Sequence, residues 1–346
     1  MPVLNTPALI DERVQALRRY HSTTGLMRAE LDLSGGIDSA TMAGLLKMAL
    51  GPDKITLVYS SINSGSETQN RARALADALG IKLVVHDLTG TYEAMIEAMV
   101  KNLVEVGWSR DALEQRMRQD PTVLGSIRSC LRAPLGRGYS RMTGNGIRHG
   151  TGNECEDRWL RFYQKGGDGE VDTNPIAMLA KGEVFQLARG LGEALDCQEI
   201  YRSIVTAPPT PELWGENQQH TDEEEIGSYL KLKNTQEAFY SYIDPDTGAY
   251  SRTGMIERVS RFADTPQSAG LFDDDSDEAT VSRISQAAAS APAMQGLDSP
   301  LVDRLLRAAR RAERVTRHKY NPAIPVLGDR IDLLKANILT DQLPGC

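Results

Sequence analysis

Six consecutive residues, Ser34-Gly35-Gly36-Ile37-Asp38-Ser39, combine the side-chain types needed to hold a phosphate group. The two glycines allow a tight turn that brings several backbone N–H groups toward one point. Ser34 and Ser39 add hydroxyl donors, and a helix starting here adds the positive end of its dipole. A carboxylate at Asp38 is a poor neighbour for phosphate alone, but it suits a ligand of Mg2+ bridging the phosphates of a nucleotide. The chemistry implied is the binding of an anionic phosphate group together with a divalent cation. Nothing in the chain resembles a Ser–His–Asp or Cys–His nucleophile, so positioning and electrostatics must carry the reaction.

Such a loop works only if a strand leads in and a helix leads out. Ala29 to Leu33 is short and apolar at alternate positions, as a strand should be, and the spacing from Ala40 to Leu50 is helical. Lys54 to Ser60 and Ile81 to His86 read as two further strands. Between them Glu67 to Leu79 reads as a helix stopped by Gly80. Asp11 to Tyr20 has helical spacing, and the chain is mostly helical from Tyr92 to Gln119. A Gly- and Arg-rich passage covers Gly125 to Gly152, with a short candidate strand, Ile147 to His149, whose Arg148 and His149 are polar for a buried one. Lys181 to Gly192 and Leu301 to Arg317 complete the helices. Strands alternating with helices of this length predict an α/β fold: an open, doubly wound parallel sheet with helices on both faces.

The chain of 346 residues is long enough for one large α/β domain with an appendage. At 40% apolar and 25% charged residues it has the composition of a soluble globular protein, and a cytoplasmic one is expected. No stretch approaches a membrane span, and the first residues lack the pattern of a secretory signal. A net charge of −8 argues against general binding to nucleic acid. Cys130, Cys155, Cys197 and Cys346 are scattered, without the paired spacing of a zinc site or a disulfide framework. Residues 1–235 are expected to form the main domain and 301–346 to complete it. Between them, 236–300 contains an acidic run and an Ala/Ser-rich stretch, and is expected to be a partly mobile insertion or lid.

The Ser34–Ser39 loop matches the PP-loop of the N-type ATP pyrophosphatases, a group that includes asparagine, GMP and NAD synthetases and tRNA-modifying enzymes. Further motifs, in order along the chain, resemble those of the NAD synthetases. Gly150-Thr151-Gly152-Asn153 precedes the acidic Glu154, Glu156 and Asp157, and Phe162 to Asp172 is similar to that family's Phe-Phe-Thr-Lys-Tyr-Gly-Asp segment. Lys181 follows at the family's spacing. Pro208 to Trp214 with Thr221-Asp222-Glu223, and finally Arg317-His318-Lys319, match its later motifs. The resemblance implies an adenine nucleotide alpha hydrolase-like fold, a homodimer, and ammonia-dependent synthesis of NAD from deamido-NAD with ATP and Mg2+. Asp38 and Lys181 are then expected to be catalytic. Ser34, Gly35, Gly36, Asp38, Ser39, Thr151, Lys181 and Thr210 are expected to bind ATP, and Arg132, Lys165, Asp172, His318 and Lys319 the acceptor. Asp38 is one expected metal ligand. The second is Glu156 or Asp157, of which Glu156 keeps the family's spacing from Thr151.

Three positions depart from the family pattern. Cys130 stands where an arginine is expected against deamido-NAD, with Arg128 and Arg132 on either side. Ala207 replaces a lysine frequent near the loop threonine, and the Gly150–Asn153 motif is followed by one extra residue. The ATP half of the site is therefore closer to the family than the acceptor half. No glutaminase segment fits in this length, so free ammonia or a separate ammonia-donating partner is implied.

Overall fold

A computed structural model of the chain describes residues 3–207 and 221–343. In chain order the elements are α1 (Thr6–Thr24), β1 (Ala29–Asp32), α2 (Ile37–Leu50), β2 (Ile55–Ser61), α3 (Ser66–Leu79), β3 (Leu83–Asp87), α4 (Thr89–Glu105), α5 (Arg110–Gln119), α6 (Pro121–Met142) and β4 (Ile147–His149). There follow α7 (Glu154–Asp157), α8 (Lys181–Ala194), α9 (Gln198–Val205), α10 (Asp222–Leu230), β5 (Tyr242–Ile243), β6 (Tyr250–Arg252), α11 (Met255–Ala263), α12 (Glu278–Ala289), α13 (Ser299–Thr316) and α14 (Arg330–Lys335).

The four long-range strands pair in parallel in the order β3-β2-β1-β4. Leu31, Leu33, Leu57 and Val58 are shut off from solvent in the central strands, as a sheet covered on both faces requires. One face packs against α1, α2, α8 and α9, and α6 lies against β1, β2 and β4. After β3 the chain returns to the far side of β1 to lay down β4, so the winding direction reverses between β1 and β4. Ligands of open α/β sheets bind beyond the carboxyl ends of the strands at such a reversal. The Ser34–Ser39 loop and the Gly150–Asn153 loop leave those two strand ends side by side.

Two passages are more regular than their composition announces. The Gly- and Arg-rich passage is mostly helix: α6 runs through Gly125, Gly136 and Gly138 and contains Pro134. Gly136 is required there, because a Cβ at this position would collide with the Arg148 guanidinium and lie 2.7 Å from Glu30 Oε1. The segment 236–300, expected to be a partly mobile insertion or lid, supplies much of a second apolar core. Met255, Ile256, Val259 and Phe262 of α11 and Ile284 and Ala288 of α12 pack with Leu301, Val302, Leu305, Leu306 and Ala309 of α13. Its acidic run is matched by arginines in α13 and just after it: Asp274 pairs with Arg317 at 2.6 Å and Glu278 with Arg307, while Asp277 caps α12 through the Thr280 N–H at 2.8 Å. The apolar faces of α11 and α12 are short, and the arginine partners of Glu278 and Asp274 lie 29 and 43 residues away. Local composition therefore reads as polar and disordered. No helix among the described residues is long and apolar enough to cross a membrane.

Candidate active site

The loop after β1 is built by its glycines and serines. Gly35 has φ +80°, and a Cβ there would run into the carbonyl oxygen of Thr68 at the start of α3. Arg71 donates from Nε to the Gly35 carbonyl at 3.1 Å, fixing the turn from the other side. The Ser34 hydroxyl accepts from the Gly36 N–H at 3.2 Å and meets the Ser39 hydroxyl at 3.0 Å. Gly36 is the N-cap of α2 and gives the helix no side-chain cap, so the first turn presents its N–H groups toward the loop opening. Asp38 lies in that first turn.

Asp38 is joined there by residues from two distant elements. Lys181, the first residue of α8, donates from Nζ to Asp38 Oδ2 at 2.6 Å and to Glu156 Oε1 of α7 at 3.0 Å. Asn153 donates to the second Asp38 oxygen, Oδ1, at 3.0 Å. The Tyr240 hydroxyl donates to Glu156 Oε1 at 3.3 Å, and its ring lies under the Lys181 ammonium, 5.1 Å from nitrogen to centroid. Only 1% of the Lys181 side chain is exposed. Burial alone would discharge it, but Asp38 and Glu156 outweigh that and hold its pKa above the ordinary lysine value. Burial raises the Glu156 carboxyl, with Lys181 opposing and Asp38 reinforcing. Burial likewise pushes Asp222 up to about 7, against Lys181 and with the charges of Glu156 and Asp38.

Of the two acidic residues considered as second partner to Asp38, Glu156 is the one that shares the Lys181 ammonium with it. Asp157 turns away, accepts from Asn174 Nδ2 at 2.5 Å and abuts Gly152, where a Cβ would strike its carboxylate. Thr151 lies half-buried in the loop after β4. Thr210 falls outside the described residues.

Lys165, His318 and Lys319 come together where the chain after α13 docks on the segment following α7. Lys165 donates to the His318 carbonyl at 3.1 Å, and Lys319 donates to the carbonyls of Arg161 at 3.1 Å and Tyr163 at 2.5 Å. Burial lowers the Lys319 pKa. The same segment touches α6, where Ser129 donates to Asp168 Oδ1 at 2.8 Å and the Cys130 thiol lies 3.9 Å from the Lys165 carbonyl. Arg132 is half-buried two residues further along α6. Asp172 is engaged elsewhere: it accepts from Arg137 at 2.6 Å and from the Arg148 N–H at 2.9 Å, at the edge of β4.

Sequence reasoning left Asn153, Asp222 and Tyr240 out of the expected site. Asn153 and Asp222 sit inside motifs already noted, so their types and positions were available signals. Tyr240 lies in the passage read as an insertion and carried none.

A glycine-rich strand–loop–helix turn at the reversal of a parallel sheet, with a buried ammonium between two carboxylates at its mouth, has the form of an α/β protein of the PP-loop class. Comparison with known proteins narrows this. The model of the family described as NAD synthase matches residues 9–247, and the chain belongs to that family. It is 35% identical over 218 residues to an NH3-dependent NAD+ synthetase of Halobacterium salinarum, covering 62% of this chain and 71% of the relative. It is 30% identical to that of Methanosarcina mazei, covering 70% and 85%. Among solved structures it resembles an NMN synthetase from Francisella tularensis, with a TM-score of 0.53 and 24% identity over 67% of this chain and 89% of the other. It also resembles a glutamine-dependent NAD+ synthetase from Cytophaga hutchinsonii, with a TM-score of 0.60 and 16% identity over 89% of this chain and 48% of the other. These two likenesses establish the fold.

Proposed function

We propose that the protein is an ammonia-dependent NAD synthetase, converting deamido-NAD, ATP and ammonia to NAD, AMP and pyrophosphate. The observation that carries this reading is the meeting of Asp38, Lys181 and Glu156 at the mouth of the Ser34–Ser39 loop. A carboxylate will not accept ammonia directly, because oxide is too poor a leaving group. An oxygen of the nicotinate carboxylate therefore attacks the α-phosphorus of ATP and pyrophosphate departs. Ammonia then adds to the carbonyl carbon of the mixed anhydride, AMP leaves with the bridging oxygen, and a proton is released. The loop N–H groups hold phosphate oxygens, and Lys181 supplies positive charge where negative charge develops.

Three buried or half-buried carboxyl groups, Asp38, Glu156 and Asp222, crowd one ammonium, and a further cation would favour the ionised forms of Glu156 and Asp222 that burial opposes. An all-oxygen set of this kind suits Mg2+, and Asp38 and Glu156 would hold it. Among the described residues no group of three or more His, Cys, Asp or Glu side chains is arranged to ligate a metal alone. Phosphate oxygens and water would therefore complete the shell. When bound, Mg2+ neutralises the charge of the departing pyrophosphate.

Lys165, His318, Lys319 and Arg132 are assigned to the acceptor. The protein is proposed to act as a homodimer, supported by the exposed apolar residues of α4 and the turn after it: Met99, Leu103, Val104, Val106 and Trp108. The test is steady-state assay of NAD and pyrophosphate formation with ATP, ammonium and deamido-NAD. Asp38→Asn is expected to fold normally and to lose about 10²-fold or more in rate, as electrostatic groups of this kind do. Near-normal pyrophosphate release by that variant would remove Asp38 from the mechanism. Cys130 in place of the expected arginine favours a second reading, a related enzyme adenylating a different carboxylate. Deamido-NAD that is inert with the wild type, while pyrophosphate release responds to another carboxylate, would establish it.

A further inference from the structure

Lys181 and Glu156 meet only because two short turns lie side by side, and the contacts that hold those turns come from the far end of the chain. Lys181 opens α8. Glu183, two residues on and fully buried, accepts from the Ala180 N–H at 2.8 Å and so caps the helix that presents Lys181. The Glu183 carboxylate is gripped by both terminal nitrogens of Arg330, at 2.8 and 2.7 Å, and Arg330 also donates to the Met178 carbonyl at 3.1 Å. Glu156 sits in α7, and Glu154, two residues before it, accepts from Arg261 of α11 and from Arg158 at 3.1 Å. One carboxylate oxygen of Asp341 joins the two arginines, at 2.9 Å from Arg330 Nη2 and 3.1 Å from Arg261 Nη1. The turns themselves touch through the Glu154 N–H to the Leu179 carbonyl at 2.8 Å, and through the Lys181 N–H to the Cys155 sulfur at 3.4 Å.

We infer that Arg330 and Arg261 are positioning residues for the reaction, acting through Glu183 and Glu154 to hold Lys181 and Glu156 at contact distance across the mouth of the phosphate loop. Both arginines, with Asp341, lie beyond residues 9–247, the part matched by the family. The helices and tail after residue 247 are therefore part of the active-site machinery of this chain. A forked guanidinium suits the task, because it fixes the direction of a carboxylate as well as its charge. The inference rests on Lys181 being a nucleotide-site residue.

The test is a double-mutant cycle read by equilibrium binding of α,β-methylene-ATP with Mg2+, with folding checked by circular dichroism. Arg330→Met is expected to weaken binding by about 10- to 100-fold in the wild-type background, as loss of an outer orienting partner does. In the Lys181→Met background the same change is expected to cost less than about twofold, because the residue it positions is gone. Arg330→Lys runs in the same cycle, so that a folding failure of Arg330→Met leaves the test intact. It should weaken binding less than Arg330→Met, keeping charge but losing the fork. Equal losses in both backgrounds, or no loss in the wild type, would overturn the positioning role while leaving the site reading standing. Wild-type binding that is indifferent to Lys181→Met would overturn both together.

Discussion

At the scale of single residues, the site depends on atoms that are absent as much as on those present. Gly35 adopts φ +80° with its α-carbon pressed toward the Thr68 carbonyl, so no side chain fits without moving the loop or α3. Gly35→Ala is expected to cost about 1–3 kcal/mol of local strain and to relieve it by opening the loop. Titration with an ATP analogue should show at least about tenfold weaker binding, and denaturant unfolding should show only a modest loss. An unchanged affinity would mean that the loop does not cradle phosphate. Lys181 shows the complementary case, a charge kept in the interior because two carboxylates and an aromatic face converge on it.

Among the elements, β4 is the least ordinary. Its three residues are buried, yet two are Arg148 and His149. Arg148 is tolerated because Glu30 of β1 takes Nη1 at 2.9 and 3.1 Å and Asp32 takes Nη2 at 2.5 Å. Burial and the charge of Asp32 raise the Glu30 carboxyl, opposed by Arg148. His149 stacks on His21 of α1 with ring centres 5.1 Å apart and Nε2 atoms at 3.2 Å. Burial lowers His149 to about 3, from an ordinary 6.5, and lowers His21 as well. Burial holds the His149 ring neutral in the fold, whereas in the unfolded chain it takes up a proton near 6.5. The stability it contributes is present above that pH and is lost as the pH falls from 6.5 toward 3. Between pH 6.5 and 5.5 His149 should account for about 1 kcal/mol of lost stability. Urea midpoints across that range should fall for the wild type and fall less for His149→Gln. Parallel lines for the two proteins would remove the histidine pair as the cause.

For the whole molecule, the question is what covers the helices farthest from the sheet. No side chain of α5 is buried, and only Tyr92 and Val100 of α4 are. Val106 is 75% exposed and Trp108 61% exposed in the turn between them. A cluster of this kind on a folded chain marks a contact surface, and the homodimer proposed above would cover it. Sedimentation of the wild type at micromolar concentration should give the dimer mass, and Val106→Glu combined with Trp108→Glu should give the monomer. A monomeric wild type would remove the dimer and any acceptor site shared across it. The second core lies elsewhere, around α11, α12 and α13, and leaves this surface free.

The sequence by itself determined the parts whose physics is local. A strand, two glycines and a helix start in immediate succession specify the tight Ser34–Ser39 loop proposed to hold phosphate. The 3.6-residue and two-residue periodicities specify the parallel α/β sheet down to the three residues of β4. Even the polar β4 was visible as an anomaly, without its cause: Glu30 lies 118 residues away from Arg148, and nothing near either residue announces the pair. Family spacing already favoured Glu156, and the tertiary structure showed why. Adjacent residues on a short helical turn point in different directions, so Glu156 shares the Lys181 ammonium with Asp38 while Asp157 turns to Asn174. Tertiary structure alone decided that Asp172 serves Arg137 and Arg148, and that Tyr240 lines the site. It also decided that residues 236–300 form a core, since short apolar faces and an acidic run become stable only once the arginines and leucines of α13 are brought against them.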